Sequence, residues 1–159
     1  MAAAIPAPAT VAAPPTRLTI PTLKVDAPVD SVLSEGPVLH PPDDPVRVGW
    51  WMGSSLAGSD QGATVLVGHV DTAAAGPGAL FRLTDLEPGA EIILYTADDT
   101  EVRYSVIART EYPKTGDLPA ELFRTSGAPK LTLITCGGEF DGANQTYADN
   151  IVVTAAPAS

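Results

Sequence analysis

The sequence predicts an all-β protein, and three observations carry that expectation. Short runs rich in β-branched and apolar residues recur, bounded by Gly, Pro, Asp and Asn clusters. The clearest runs either alternate with period two or stay apolar for no more than a strand's length. Stretches that could be helical are too few to flank a parallel sheet. The count comes to about seven or eight short strands with at most two short helices, the pattern of a sandwich or barrel.

The 159 residues suit one domain with one core. Residues 1–15 are Ala/Pro-rich and are expected to form a flexible tail, because proline blocks helix and sheet ladders alike. Residues 16–159 are the expected folded domain. Arg17 to Val25 is read as strand interrupted by Pro21, and Ala27 to Leu33 continues it, with Pro28 marking a bend or edge. Gly36 to Arg47 carries four prolines and is loop, closed by Trp50 and Trp51, to which packing and no chemistry is assigned. Ala63 to Val70 is a strong strand whose uninterrupted apolar centre suits burial on both faces. Ala79 to Leu86 fits one or two helical turns. Glu91 to Thr96 and Glu101 to Arg109 form a hairpin around Asp98-Asp99-Thr100. Thr110 to Gly116 reads as loop, and Asp117-Leu118-Pro119 opens a short helix through Phe123. Lys130 to Thr135 is strand, Glu139 to Tyr147 a polar return loop, and Asn150 to Thr154 the last strand.

Charge and composition exclude several classes. The formal charge is −10, with 9 Lys+Arg against 19 Asp+Glu, so the chain lacks the basic footprint of a nucleic-acid binder. No run approaches the roughly 18 apolar residues of a membrane helix. One cysteine and two histidines cannot supply a four-ligand zinc site, and the aspartates lack calcium-loop spacing. Neither a phosphate-cradling glycine loop nor a Gly-x-Ser-x-Gly elbow is present. No metal or cofactor is therefore expected.

What remains is Cys136, at a strand end before Gly137 and Gly138, and His69, after Gly68 at the end of another strand. A lone cysteine is as readily a small buried hydrophobe, and a lone histidine a packed one. Brought together, they make a nucleophile and its acid/base partner, since the thiolate is the reactive form and an imidazole can stabilise it. His40, in a Pro-rich loop, is assigned a solvated or capping role.

On these residues the chain resembles the sortases. Thr132-Leu133-Ile134-Thr135-Cys136 looks like the family's Thr-Leu-x-Thr-Cys motif. The Gly-Gly that follows, Gly68-His69-Val70-Asp71 and the run Tyr147 to Val153 are similar to class F sortases of actinobacteria. The likeness runs from about Arg17 to Thr154. It implies a closed eight-stranded β-barrel and a cysteine transpeptidase. Such an enzyme cleaves a Leu-Pro-x-Thr-Gly type sorting signal between Thr and Gly and passes the acyl group to a cell-wall amine. The implied partners are surface proteins bearing sorting signals and a peptidoglycan-precursor amine, the implied state is a monomer, and the implied place is the outer face of a Gram-positive membrane with an N-terminal anchor, the catalytic domain itself being soluble. Thr135, Val70, Thr72, Leu118 and Phe123 are candidate substrate contacts; the competing reading is that Leu118 and Phe123 only pack the short helix.

One position departs from the pattern. The family's catalytic arginine falls in a Tyr-Arg-Asp-Asn segment, and here that segment is Tyr147-Ala148-Asp149-Asn150. Loss of a comparable oxyanion donor costs about 3–4 kcal/mol. Ala148 is explained either by an engineered Arg→Ala change or by a natural member using Arg47, Arg82, Arg103, Arg109 or Arg124 instead. Either way low activity is expected. The alternative of another class is a non-catalytic barrel that binds sorting-signal peptides; a hydrolytic cysteine peptidase is a third.

Overall fold

A computed structural model of the chain describes residues 12–34, 39–72, 76–114, 116, 118–143 and 146–158, with the backbone alone at residues 72, 136–141 and 146. β1 (Pro15–Ile20) leads into a tight 3-10 turn at Pro21–Leu23. Proline's fixed φ suits that first turn position, and Lys24 closes it in the left-handed region at φ 57°. The chain reverses there into β2 (Val25–Val32), antiparallel to β1. Pro28 sits just before Val29, where the parallel ladder from β2 to β3 (Val48–Trp51) begins. β4 (Ala63–Gly68) follows, then a two-stranded hairpin of β5 (Asp71–Thr72) and β6 (Gly76–Pro77). β7 (Glu91–Thr96) and β8 (Glu101–Pro113) form the expected hairpin. β9 (Lys130–Asp141) and β10 (Thr146–Pro157) complete the set.

Eight of these strands close into the expected barrel, in the order β1-β2-β3-β4-β9-β10-β8-β7. Closure gives each of the eight strands a partner on both sides, which protects strand edges from aggregation. Its interior is filled by alternate residues: Leu18 and Ile20 of β1, Leu66 of β4, Ile92 and Leu94 of β7, Leu131 and Leu133 of β9, Ile151 and Val153 of β10. All are fully buried. Cutting one such leucine to alanine costs about 2–5 kcal/mol.

The structure corrects several element boundaries. Pro15, placed in the tail on composition, opens β1, and Ala13 already bridges to Ala57. Residues 1–11 lie outside the described part. β8 runs on to Pro113 through residues read as loop, because β10 pairs with it as far as Asp149↔Pro113. β9 continues through both glycines to Asp141, and β10 begins at Thr146, so much of the expected return loop is ribbon. The helical expectations shrink to 3-10 turns at Leu83–Asp85 and Ala120–Phe123, with Pro119 in the capping position of the second. Asp117, the expected start of that helix, lies outside the described residues.

Candidate active site

β4 and β9 are parallel neighbours, in register from Ala63↔Lys130 to Val67↔Ile134. Their outward residues do not face solvent. Val65, Val67, Ile134 and Val152 form a second apolar cluster on the outside of the barrel with Ala63 and Leu122. Leu39, Trp51, Tyr112, Leu118 and Phe123 pack against it half-buried. Trp51 meets Phe123 edge-to-face, ring centres 6.1 Å apart. The turn carrying Leu122 is tied down by the Thr132 hydroxyl, which donates to the Leu122 carbonyl at 3.0 Å. This is why the strands are apolar on both faces, as the unbroken run in β4 suggested.

The site follows from continuing that outward row. Val67, Ile134 and Val152 lie side by side across β4, β9 and β10. Two residues further along the same register, the backbone positions are His69, Cys136 and Asn150. Asn150 pairs with Cys136 directly. His69 is one residue past the end of β4, and the step between is fixed by the buried Thr135 hydroxyl, which donates to the Gly68 carbonyl at 2.7 Å. Adjacent strands lie about 4.8 Å apart, so the backbones at 69 and 136 are neighbours. The geometry thus brings together the two residues that sequence alone left 67 positions apart.

His69 is held on several sides. Its Nε2 lies 2.9 Å from the Pro42 carbonyl oxygen. A carbonyl can only accept, so Nε2 carries a proton and Nδ1 is the ring atom left for proton transfer. Its own carbonyl accepts from Leu80 N at 3.1 Å, and Val70's carbonyl accepts from Gly78 N at 2.9 Å. Gly78 must be glycine: an added Cβ would stand 2.9 Å from His69 Cβ and closer still to its carbonyl oxygen.

On the other flank, β10 enters the site through Tyr147 and Ala148. The ladder with β9 shifts register between Tyr147 and Asp149. Ala148 is exposed, and its carbonyl accepts from Lys114 N at 2.9 Å. Apart from Arg124, the arginines offered as substitutes have their guanidinium groups engaged by other partners. Arg47 makes a two-pronged pair with Asp30, Arg82 meets Asp85, Arg103 meets Glu91 and Glu101, and Arg109 bonds the Leu86 carbonyl. Arg124 follows the turn under the outer cluster, its guanidinium beside Gly127.

The candidate substrate residues fall in different places. Leu118 and Phe123 border the outer apolar cluster. Val70 is buried, and the Thr135 hydroxyl is spent on Gly68. At Thr72 and Cys136 the described part is the backbone. Sequence reasoning missed the Pro42 carbonyl and left Asp71 without a certain role; the Tyr147 hydroxyl donates to Asp71 Oδ2 at 2.7 Å. Among the described residues no group of three His, Cys, Asp or Glu could hold a metal ion, and no helix is long and apolar enough to cross a membrane.

The sortase-domain family model matches residues 18–158. Among solved structures, sortase A from Corynebacterium diphtheriae superposes with a TM-score of 0.69 at 18% identity, over 94% of this chain and 62% of that one. Sortase C-1 from Actinomyces oris gives 0.68 at 21% identity, over 90% and 73%. Sortase C1 from Streptococcus agalactiae gives 0.69 at 20% identity, over 98% and 71%. The chain therefore spans less than two thirds of the diphtherial protein's length. No curated protein sequence matches it.

Proposed function

The chain belongs to the sortase family, and on that premise we propose that it is a cysteine transpeptidase that cuts sorting signals of the Leu-Pro-x-Thr-Gly type. The row His69–Cys136–Asn150, built by the parallel seam of β4 and β9, is the observation that carries this reading. A barrel that only bound peptides would have no use for a thiol and an imidazole at neighbouring strand ends.

The chemistry runs in two balanced halves. His69 takes the Cys136 thiol proton, the resulting thiolate attacks the Thr carbonyl carbon, and the C–N bond to Gly breaks as the departing amine takes that proton back from His69. The product is a Thr–Cys136 thioester. An incoming amine then gives its proton to His69, attacks the thioester and expels the thiolate. With Nε2 engaged by Pro42, Nδ1 is the atom that gives and takes the proton. The outer apolar face with Trp51, Leu118 and Phe123 is the surface on which the signal's Leu-Pro would lie.

The motifs around Cys136 and Tyr147 resemble those of class F of the family, and that resemblance supports reading Ala148 as the arginine's position. The acceptor is then a peptidoglycan-precursor amine, the substrates are surface proteins, and the domain works at the outer face of a Gram-positive cell. Ala148 offers no side-chain donor to the oxyanion, so turnover is low as the sequence stands.

The test is a transpeptidation assay with a sorting-signal peptide and a glycine-based amine, run beside Ala148→Arg. Ala148→Arg is expected to raise kcat by about 10²–10³-fold. Equal rates would show that 148 is not the vacated position. No acyl transfer from either protein, with no thioester on Cys136, would overturn the transpeptidase reading.

A further inference from the structure

The hydrogen bond from Tyr147 to Asp71 joins residues 76 apart in sequence. Its ends belong to the two halves of the candidate site. Asp71 opens the small β5–β6 hairpin and lies two residues after His69. Tyr147 adjoins Ala148 and lies three residues before Asn150, the strand partner of Cys136. We propose that Tyr147 and Asp71 form a positioning clasp that sets the spacing between the histidine segment and the strands that carry Cys136 and the oxyanion side of the site.

Two bonds bracket the row. One residue before it, the Thr135 hydroxyl fixes Gly68 to β9. Beyond it, the Tyr147 phenol fixes Asp71 to β10. Between these points His69 lies outside any strand, and the anchors on its ring and carbonyl come from Pro42 and Leu80, which do not belong to β9 or β10. Relative to β9 and β10 the segment is otherwise fixed by the bond at Gly68, since its remaining anchors come from other parts of the chain. The clasp fixes the other end, at the level where β10 shifts register. Phenol to carboxylate is a charge-assisted bond, the stronger kind, and here it is partly buried. Neither residue touches substrate in this role: the pair acts through the distance between imidazole and thiol, on which proton transfer depends steeply.

This inference rests on the transpeptidase reading, and its test is run in Ala148→Arg, where turnover is expected to be high. Tyr147→Phe and Asp71→Ala should each lower kcat about tenfold per titrated Cys136, with KM within twofold. Asp71→Asn retains an oxygen that accepts from the phenol, so it should keep most of kcat. The double variant Tyr147→Phe/Asp71→Ala should be no slower than the worse single one. Unchanged kcat in both single variants, additive losses, or Asp71→Asn as slow as Asp71→Ala would each overturn the clasp while leaving the transpeptidase reading intact. An inactive Ala148→Arg parent would instead overturn that reading and the clasp with it. Counting only titratable thiol separates a change in spacing from a loss of folded protein.

Discussion

The barrel has two parallel seams, and only one of them makes a candidate site. β2 runs beside β3 from Val29↔Val48 to Val32↔Trp51, and β4 beside β9 from Ala63↔Lys130 to Val67↔Ile134. Parallel pairing brings two strand ends together at one edge in both cases. At the first seam the chain past the last pair is Leu33 and Met52, both exposed, and the closure is a backbone bond from Met52 N to the Val32 carbonyl at 2.9 Å. At the second, the closure is a side-chain bond, Thr135 to Gly68, and the next residues are His69 and Cys136. The same geometry thus provides a proximity device twice. Residue chemistry, together with the loops that hold His69, decides where it becomes a site.

The largest test of that contrast is removal of the nucleophile. In the Ala148→Arg background, Cys136→Ala should lower transpeptidation by at least about 10³-fold, because the covalent route is lost and only binding remains. At the other seam, Met52→Ser should leave kcat within twofold. Peptide-transfer assays on both variants check the pair. Full activity in Cys136→Ala would remove the chemical distinction between the seams.

Next in size is Gly78→Ala. The new methyl must displace His69, whose Cβ is 2.9 Å from its ideal position and whose carbonyl oxygen is nearer. Crowding of this kind costs about 1–3 kcal/mol, and here the strain falls on the acid/base residue. The thermal midpoint should fall by several degrees, as expected for a domain of this size. The activity of the protein that remains folded should also fall, as rates at temperatures below the transition will show. Gly76, with open space around its Cβ position, is the comparison: its φ of 75° makes Gly76→Ala somewhat destabilising, but with no direct push on His69.

Thr135→Val separates the side-chain closure of the second seam from its packing. The shape is nearly kept, the hydroxyl is lost, and the Gly68 carbonyl loses that donor. A loss of about 1–3 kcal/mol is expected by urea unfolding, with a drop in kcat because His69 is the next residue. Thr135→Ser, which retains the donor, should recover most of kcat. If valine and serine behave alike, the hydroxyl has no part in aligning the strands.

The two seams also differ in how far they could be foreseen. His69 and Cys136 stood out because each ends a run of β-branched residues beside glycine; the spacing of such runs pointed to a sandwich or barrel, and the family resemblance to the closed barrel. β3 was passed over: it is four residues long and follows a proline-rich segment, so it shows too little alternation to register. The continuation of β9 past Cys136 was hidden by Gly137 and Gly138, which read as a stop although β10 supplies pairing partners on both sides of them. The Pro42 carbonyl was invisible in principle, since a backbone oxygen carries no residue signature. Tyr147 and Asp71 each stood in a segment that carried the family resemblance, but nothing in the sequence paired them; the fold brings them within 2.7 Å.

The smallest expected effect concerns Arg47, which bears on whether the two seams communicate. Val48 pairs with Gly68, so Arg47 falls one register step on, beside His69. Its guanidinium is nevertheless turned the other way, with Nε and Nη2 2.7 and 2.6 Å from the two oxygens of Asp30 on β2. Arg47 therefore belongs to the first seam, although its backbone borders the second. The hydrogen bonds from Arg47 hold the Asp30 carboxyl below the usual carboxylate range. Such a depressed group stabilises the fold above its ordinary pKa, and the contribution is lost as pH falls through its folded value. Both side chains are more than one-third exposed, so solvent screening keeps the contribution below about 1 kcal/mol. Asp30→Asn should thus lower the urea midpoint slightly at pH 7, and the difference should close on acidification. Arg47→Gln should leave transpeptidation by Ala148→Arg within twofold. In the protein with Ala148 in place it should also leave the residual rate unchanged; a clear loss there would show that the Arg47 guanidinium leaves Asp30 during turnover to serve the vacated position.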